Sequence, residues 1–246
     1  MIIDTIEGKI ALVTGASQGI GKASSIALAR SKARVILVAR NKEKLLQTQA
    51  EINLLGGKSE VIVADFSREE QVNALFDQIE ADYGTLDILI NNAGIASKRR
   101  IEEVSMDEFD YMMKVNLRHV FLACCRAARL MKKKQDGYII NIASVSGFKA
   151  YEKQGAYGIS KHGVMGLTKS LAVDLHADNI RISAIMPGGV DTEMMRNVGR
   201  ADLTFSQLMN PDKIAHTILY LLSLWHTNAA VDQIYIRRKT RRPFCY

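Results

Sequence analysis

Short apolar, β-branched runs alternate along the chain with longer stretches in which apolar residues recur every three or four positions. The first kind reads as strands and the second as amphipathic helices. Strands are predicted at 9–14, 35–38, 60–64, 86–90, 138–142, 180–185 and 231–236. Helices are predicted at 18–30, 42–55, 69–82, 157–175 and 211–225, with one or two more inside 105–134. The strands are apolar almost throughout, as strands covered on both faces are. Alternation of the two kinds marks βαβ units and hence a parallel sheet. The prediction is an α/β chain with a single-domain, Rossmann-type doubly wound fold over 1–246, of about seven parallel strands with helices on both faces.

Punctuation fits one continuous unit. Only three prolines occur. Pro187 stops a strand, Asn210-Pro211-Asp212 is a cap followed by a first-turn proline, and Pro243 lies in the tail. The segment 188–209 mixes glycine, charge and methionine, and reads as a lid over a substrate site.

Composition narrows the class without changing the picture. At 246 residues, 48% hydrophobic and 24% charged, the chain has the balance of a soluble protein with a large core. No apolar run nears the roughly 20 residues of a membrane span. The N-terminus lacks the basic-then-apolar order of a signal peptide, so a cytoplasmic protein is expected. The adjacent Cys124 and Cys125 read as core filling, and Cys245 is nearly terminal. The net charge is +7, of which Arg237, Arg238, Lys239, Arg241 and Arg242 supply five. That basic tail, 237–246, reads as a solvated or subunit-contact segment, and nucleic acid is not expected as a partner.

The first strand runs into Thr14-Gly15-Ala16-Ser17-Gln18-Gly19-Ile20-Gly21. Glycines at a strand-to-helix turn let backbone approach a pyrophosphate that faces the helix N-terminus. The spacing differs from the G-x-G-x-x-G fingerprint. At the end of the second strand, where NAD sites place an acid, the chain has Arg40, suited to a 2′-phosphate. NADP(H) is therefore expected in preference to NAD(H).

Tyr157 and Lys161 stand at i and i+4 on a predicted helix and share a face. A phenol has a pKa near 10, and a neighbouring ammonium lowers the cost of ionising it. Ser144 follows the strand 138–142, at the sheet end where ligands of α/β proteins bind. His162 is expected to point about 100° away from Lys161 and to pack or face solvent. His119, His176, His216 and His226 show no metal-ligand spacing, and no metal is expected.

Together these residues resemble the short-chain dehydrogenase/reductase family, over residues from about Gly8 to Ile236. The elements in register are the glycine turn at 14–21, Asp65, Asn-Asn-Ala-Gly at 91–94, Asn116, Ser144, Tyr-x3-Lys at 157–161, and Pro187-Gly188 followed by Thr192. The resemblance implies a cofactor half, 1–143, and a catalytic and substrate half, 144–236. It implies that Gly15, Ser17, Gln18, Gly19, Ile20 and Gly21 form the pyrophosphate turn, and that Asp65 and Phe66 border the adenine. Asn92, Ala93 and Gly94 would border the ribose. Pro187, Gly188, Val190 and Thr192 would hold the nicotinamide. Tyr157 would exchange the proton, Lys161 would hold the ribose and lower the tyrosine pKa, Ser144 would orient the carbonyl, and Asn116 would keep a water next to Lys161.

The implied activity is hydride transfer between NADP(H) and a small-molecule carbonyl or alcohol, by a homotetramer or homodimer. An alternative is 3-oxoacyl-acyl-carrier-protein reduction, and a further one is a cofactor-binding regulator. Two departures stand out. Many NADP(H)-dependent relatives carry a basic residue at Gln18. The bacterial 3-oxoacyl-acyl-carrier-protein reductases close with Val-Asp-Gly-Gly, where this chain has Val231-Asp232-Gln233-Ile234 and then the basic tail.

Overall fold

Seven parallel strands hydrogen-bond into one sheet in the computed structural model, which describes residues 2–198 and 207–241. In chain order they are β1 (Ile10–Thr14), β2 (Arg34–Ala39), β3 (Lys58–Val63), β4 (Ile88–Asn91), β5 (Gly137–Ile142), β6 (Ile180–Pro187) and β7 (Gln233–Ile236). Their spatial order is β3-β2-β1-β4-β5-β6-β7, so the winding reverses between β1 and β4. The crevice at such a reversal, beyond the C-terminal ends of the strands, is where doubly wound proteins bind ligands.

The helices are α1 (Gly19–Arg30), α2 (Lys42–Leu54), α3 (Glu69–Tyr83), α4 (Met106–Met113), α5 (His119–Lys132), α6 (Gly155–Asp174), α7 (Glu193–Asn197) and α8 (Pro211–Ser223). Alternate strand residues point to opposite faces. Val13, Val35, Leu37, Ile88 and Ile90 accordingly join the buried layer under α1, α2 and α8. Leu12, Ile36, Val38 and Leu89 join the one under α3, α5 and α6. Cys124 is fully buried in the second layer, and burial pushes its thiol up to about 12, as suits a core filler.

Several elements differ from the periodic reading. β3 begins at Lys58 rather than 60, because an edge strand pairs on one side and tolerates polar residues. β7 is shorter than 231–236 and lies at the other edge. The 105–134 region divides into α4 and α5 around one π-turn, Lys114–Arg118. The expected cap is present, with Asn210 accepting from the Asp212 N–H at the start of α8; Asn41 likewise caps α2 by accepting from the Lys44 N–H.

Of the segment 188–209, expected as a lid, residues 199–206 lie outside the described residues. Its two ends are stitched together: Met209 N–H donates to Gly189 O and Asp191 N–H to Met209 O. Of the basic tail, 242–246 also lie outside the described residues.

Candidate active site

The glycine turn is fixed from the neighbouring strand. Thr14 Oγ1 accepts from the N–H groups of Asn92 and Ala93, each at 2.9 Å, and Asn92 Nδ2 donates to Thr14 O at 3.0 Å. Gly15 has φ +68° and Gly19 φ +55°, the left-handed region that glycine enters without strain. Gln18, at the N-cap of α1, makes no side-chain cap, and the first turn holds no acid. The turn and the start of α1 line a cleft with Gly15, Ser17, Gln18, Gly19, Ile20 and Arg40, and with Asp65, Phe66, Asn92, Ala93 and Gly94. An uncapped helix end with backbone bare of side chains is chemically suited to a pyrophosphate. The residues present therefore fit a dinucleotide.

Arg40 stands exposed at the end of β2, with a 3.4 Å hydrogen bond to the Tyr111 hydroxyl. Lys44, which sequence reasoning passed over, lies in the same cleft. The Asn41 cap places it in the first turn of α2, and its Nζ donates to Gln18 Oε1 at 3.0 Å and Glu193 Oε2 at 2.7 Å. A lysine 26 residues away in sequence thus brings a positive charge next to Gln18, where it is paired with Glu193. Burial acts to raise the Asp65 pKa, but hydrogen bonds from Ser67 and the charges of Arg40 and Arg68 outweigh it, holding the carboxyl below its usual value.

A second cavity opens from the first. Ile20, Asn92, Gly94, Ile95, Thr192 and Met194 line both, so the two form one continuous cleft. Ser144, Tyr157, Lys161, Pro187, Gly188 and Val190 line the second part. Thr192 packs on the glycine turn, where a Cβ at Gly19 would stand 2.9 Å from its methyl group.

Ser144 sits just past the end of β5, where its Oγ accepts from the Ser146 N–H at 3.1 Å, and it lines the same cavity as Tyr157. Tyr157 and Lys161 project from the first two turns of α6, as their spacing predicted, with Lys161 Nζ 5.8 Å from the phenol ring centre. A chain of buried amides and hydroxyls ties α6 to the sheet: Asn91 donates to Asn141 Oδ1, and Asn141 to Thr168 Oγ1, each at 2.9 Å. Asn116 lies in the π-turn, a feature that often marks functional sites. Its amide bridges the backbone of Ile95, accepting at 2.8 Å and donating at 2.9 Å, and donates to Ser160 Oγ at 3.1 Å. A Cβ on Gly94 would lie 3.2 Å from Asn116 Oδ1 and 3.7 Å from Lys161 Nζ, so glycine there keeps the two groups neighbours. His162 is exposed and bonded to Gly158 O, as expected.

One expectation is corrected. The net displacement of the Tyr157 pKa is upward, not downward. Burial raises the phenol above its usual value, and only the Ser144 hydrogen bond acts against that. The lysine ammonium is turned to Ile142 O at 3.0 Å, and its own pKa is brought down to about 8 by burial. Between pH 8 and 10.5 the unfolded chain keeps a proton at this lysine that the folded protein has released. Stability should therefore rise with pH across that window, by up to roughly 3 kcal/mol from this group. Denaturant titrations at pH 8 and 10 test this: Lys161→Met should lose that increment, and an identical pH profile for the variant would refute the assignment.

The basic tail also departs from expectation. Arg238 is only 6% exposed and, with Arg237 and Arg241, lines the second cavity. β7 runs parallel to β6, with Ile236 opposite Pro187, so the chain leaves the sheet at its catalytic end.

Comparison with known proteins agrees with the geometry. A family model described as short chain dehydrogenase matches residues 9–203. The chain is 39% identical over 194 residues to a 3beta-hydroxysteroid dehydrogenase of Mediterraneibacter gnavus, covering 78% of this chain and 70% of the relative. It is 33% identical over 225 residues to a 3-oxoacyl-acyl-carrier-protein reductase of Thermotoga maritima, covering 89% and 92%. Among solved structures it is similar to a metagenomic short-chain oxidoreductase in complex with NADP, at TM-score 0.84 and 30% identity, covering 96% of this chain and all of that one. With the fold, the cleft and a family match over most of its length in agreement, this chain belongs to the short-chain dehydrogenase family of oxidoreductases.

Proposed function

We propose that the protein transfers hydride between NADP(H) and an organic carbonyl or alcohol, with Tyr157 as the proton donor in reduction. The observation that carries this reading is that Ser144, Tyr157 and Lys161 converge on one cavity continuous with the glycine-turn cleft. Bound in that cleft, a reduced nicotinamide cofactor supplies the hydride. The chain supplies placement and the proton. Ser144 offers a hydroxyl to the substrate oxygen, and Tyr157, kept protonated by burial, gives its proton to the same oxygen as the alcohol forms. Lys161 supplies positive charge beside the phenol that is left, and Asn116 holds the backbone of Ile95 next to the lysine. Pro187, Gly188, Val190 and Thr192 line the same cavity as Ser144 and Tyr157.

NADP(H) over NAD(H) is supported by Arg40 and Lys44 in one cleft, since two cations suit a 2′-phosphate. The Arg40→Asp variant should reverse the NADPH/NADH affinity ratio. Lys44→Gln should weaken NADPH about tenfold or less, as one charged hydrogen bond implies, and leave NADH nearly unaffected. Quenching titrations of both cofactors read the result, and unchanged ratios in both variants would place 2′-phosphate recognition elsewhere. The activity itself is tested by following NADPH oxidation against ketones, aldehydes, quinones and acetoacetyl thioesters.

A further inference from the structure

The tail arginines have no part in the hydride and proton steps, yet the fold brings them to the same cavity. Gly188 N–H donates to Ile236 O at 2.7 Å, pinning the chain where it leaves β7. The Arg237 guanidinium then donates to the carbonyls of Arg238 and Arg241, at 3.2 and 2.7 Å. Arg241 N–H closes the turn on Arg238 O at 3.1 Å. Arg237 thus folds the strap, and Arg238 and Arg241 line the cavity beside it. A Cβ on Gly189 would lie 3.2 Å from Arg238 Cδ and 3.4 Å from its Nε, so this glycine leaves room for the buried guanidinium. At the rim, Arg241 and Lys149 both lie against the Tyr151 ring, 5.8 and 6.0 Å from its centre.

The cavity lining is one-sided in charge. Lys161, Arg237, Arg238 and Arg241 line it, and among the described residues no aspartate or glutamate does. The rest is largely apolar or aromatic, including Val145, Met194, Met195, Val198 and Tyr235. Charge attracts more strongly where water is partly excluded, and a guanidinium matches the planar oxygens of a carboxylate or the oxygens of a phosphate.

We propose that the substrate is an anionic carbonyl compound: an apolar body with its carbonyl at Ser144 and Tyr157 and a carboxylate or phosphate held by Arg238 and Arg241. This rests on the reductase reading above. It departs from what a neutral ketone needs, and it gives the chain's non-family C-terminus a task.

The test compares matched pairs: 4-oxopentanoate with 2-pentanone, and dihydroxyacetone phosphate with dihydroxyacetone. Each is assayed for NADPH oxidation and, separately, for calorimetric binding to the NADP+-loaded protein. The charged member of at least one pair is expected to exceed its neutral partner about tenfold or more in kcat/KM and in affinity, the scale of a charged hydrogen bond. The pair that responds identifies the anion as carboxylate or phosphate. Arg238→Gln should cut that ratio about tenfold. The exposed Arg241→Gln, which bears no risk to the core, should cut it about threefold, and added salt should shrink its share.

Neutral members matching or exceeding the charged ones would overturn the proposal and leave the reductase reading standing. Charged members that bind selectively but are never reduced would keep the anion site and sink the reductase reading. No binding of either kind, or ratios that survive both substitutions in folded variants, would overturn the proposal.

Discussion

Tyr157→Phe is expected to lower kcat for carbonyl reduction about a thousandfold, the scale of a positioned general acid. The substitution removes one oxygen from a half-buried ring and leaves the glycine turn untouched, so NADPH affinity should change little. The loss belongs in kcat because the proton is delivered only as the alcohol forms. The direction of the tyrosine pKa sharpens the expectation. Burial keeps the phenol protonated well beyond neutral pH, so reduction has its proton available, while alcohol oxidation needs the phenolate and should rise toward alkaline pH. Steady-state rates in both directions, with NADPH binding followed by fluorescence, check this. A variant that reduces carbonyls at near wild-type kcat would remove Tyr157 from the proton step.

Gly21→Ala should produce the largest structural penalty of any single methyl group in the cofactor cleft. Its Cβ would stand 2.1 Å from Gly15 O, 2.7 Å from Gly15 C and 2.6 Å from Asn92 Nδ2. The first two are backbone atoms of the turn itself, and Asn92 is held by the Thr14 carbonyl, so the clash has no flexible side-chain end to absorb it. Overpacking of this kind costs about 2–3 kcal/mol, which lowers Tm by about 5–10 °C in a chain of this size. Relief requires α1 to move away from the turn, so NADPH affinity should fall as well. Gly166→Ala is the matched control: it lies on α6 with nothing within 4 Å of the added atom, and should stabilise by up to about 1 kcal/mol through helix propensity. Thermal melts and cofactor titrations of the two variants provide the comparison. Equal Tm values would show that the close approach of α1 to the turn is not as tight as described.

Asn116 and Lys44 show where linear reasoning reached its limit. The family pattern placed Asn116 near Lys161, but the π-turn that aims its amide at Ile95 leaves no periodic signal, because one added residue in a helix does not disturb the apolar spacing on either side. Lys44 is one of several charges along the helical stretch 42–55. Its significance comes from Gln18 and Glu193, which lie 26 and 149 residues away in sequence.

Local patterning decided most of the architecture. Apolar strands and 3.6-period helices specify a parallel sheet, since each element must bury a defined face whatever its distant partners are, and the glycine turn declares itself because few residues besides glycine accept the backbone at Gly15 and Gly19. The charges were a different matter. A run of arginines reads alike whether it ends in solvent or in a cavity, and only the parallel pairing of β7 with β6 sends it to the catalytic end of the sheet. The tyrosine pKa likewise depends on what lies around the ring and where the lysine ammonium is turned. Both are fixed by long-range packing, because electrostatic environment belongs to position in space and not to order along the chain.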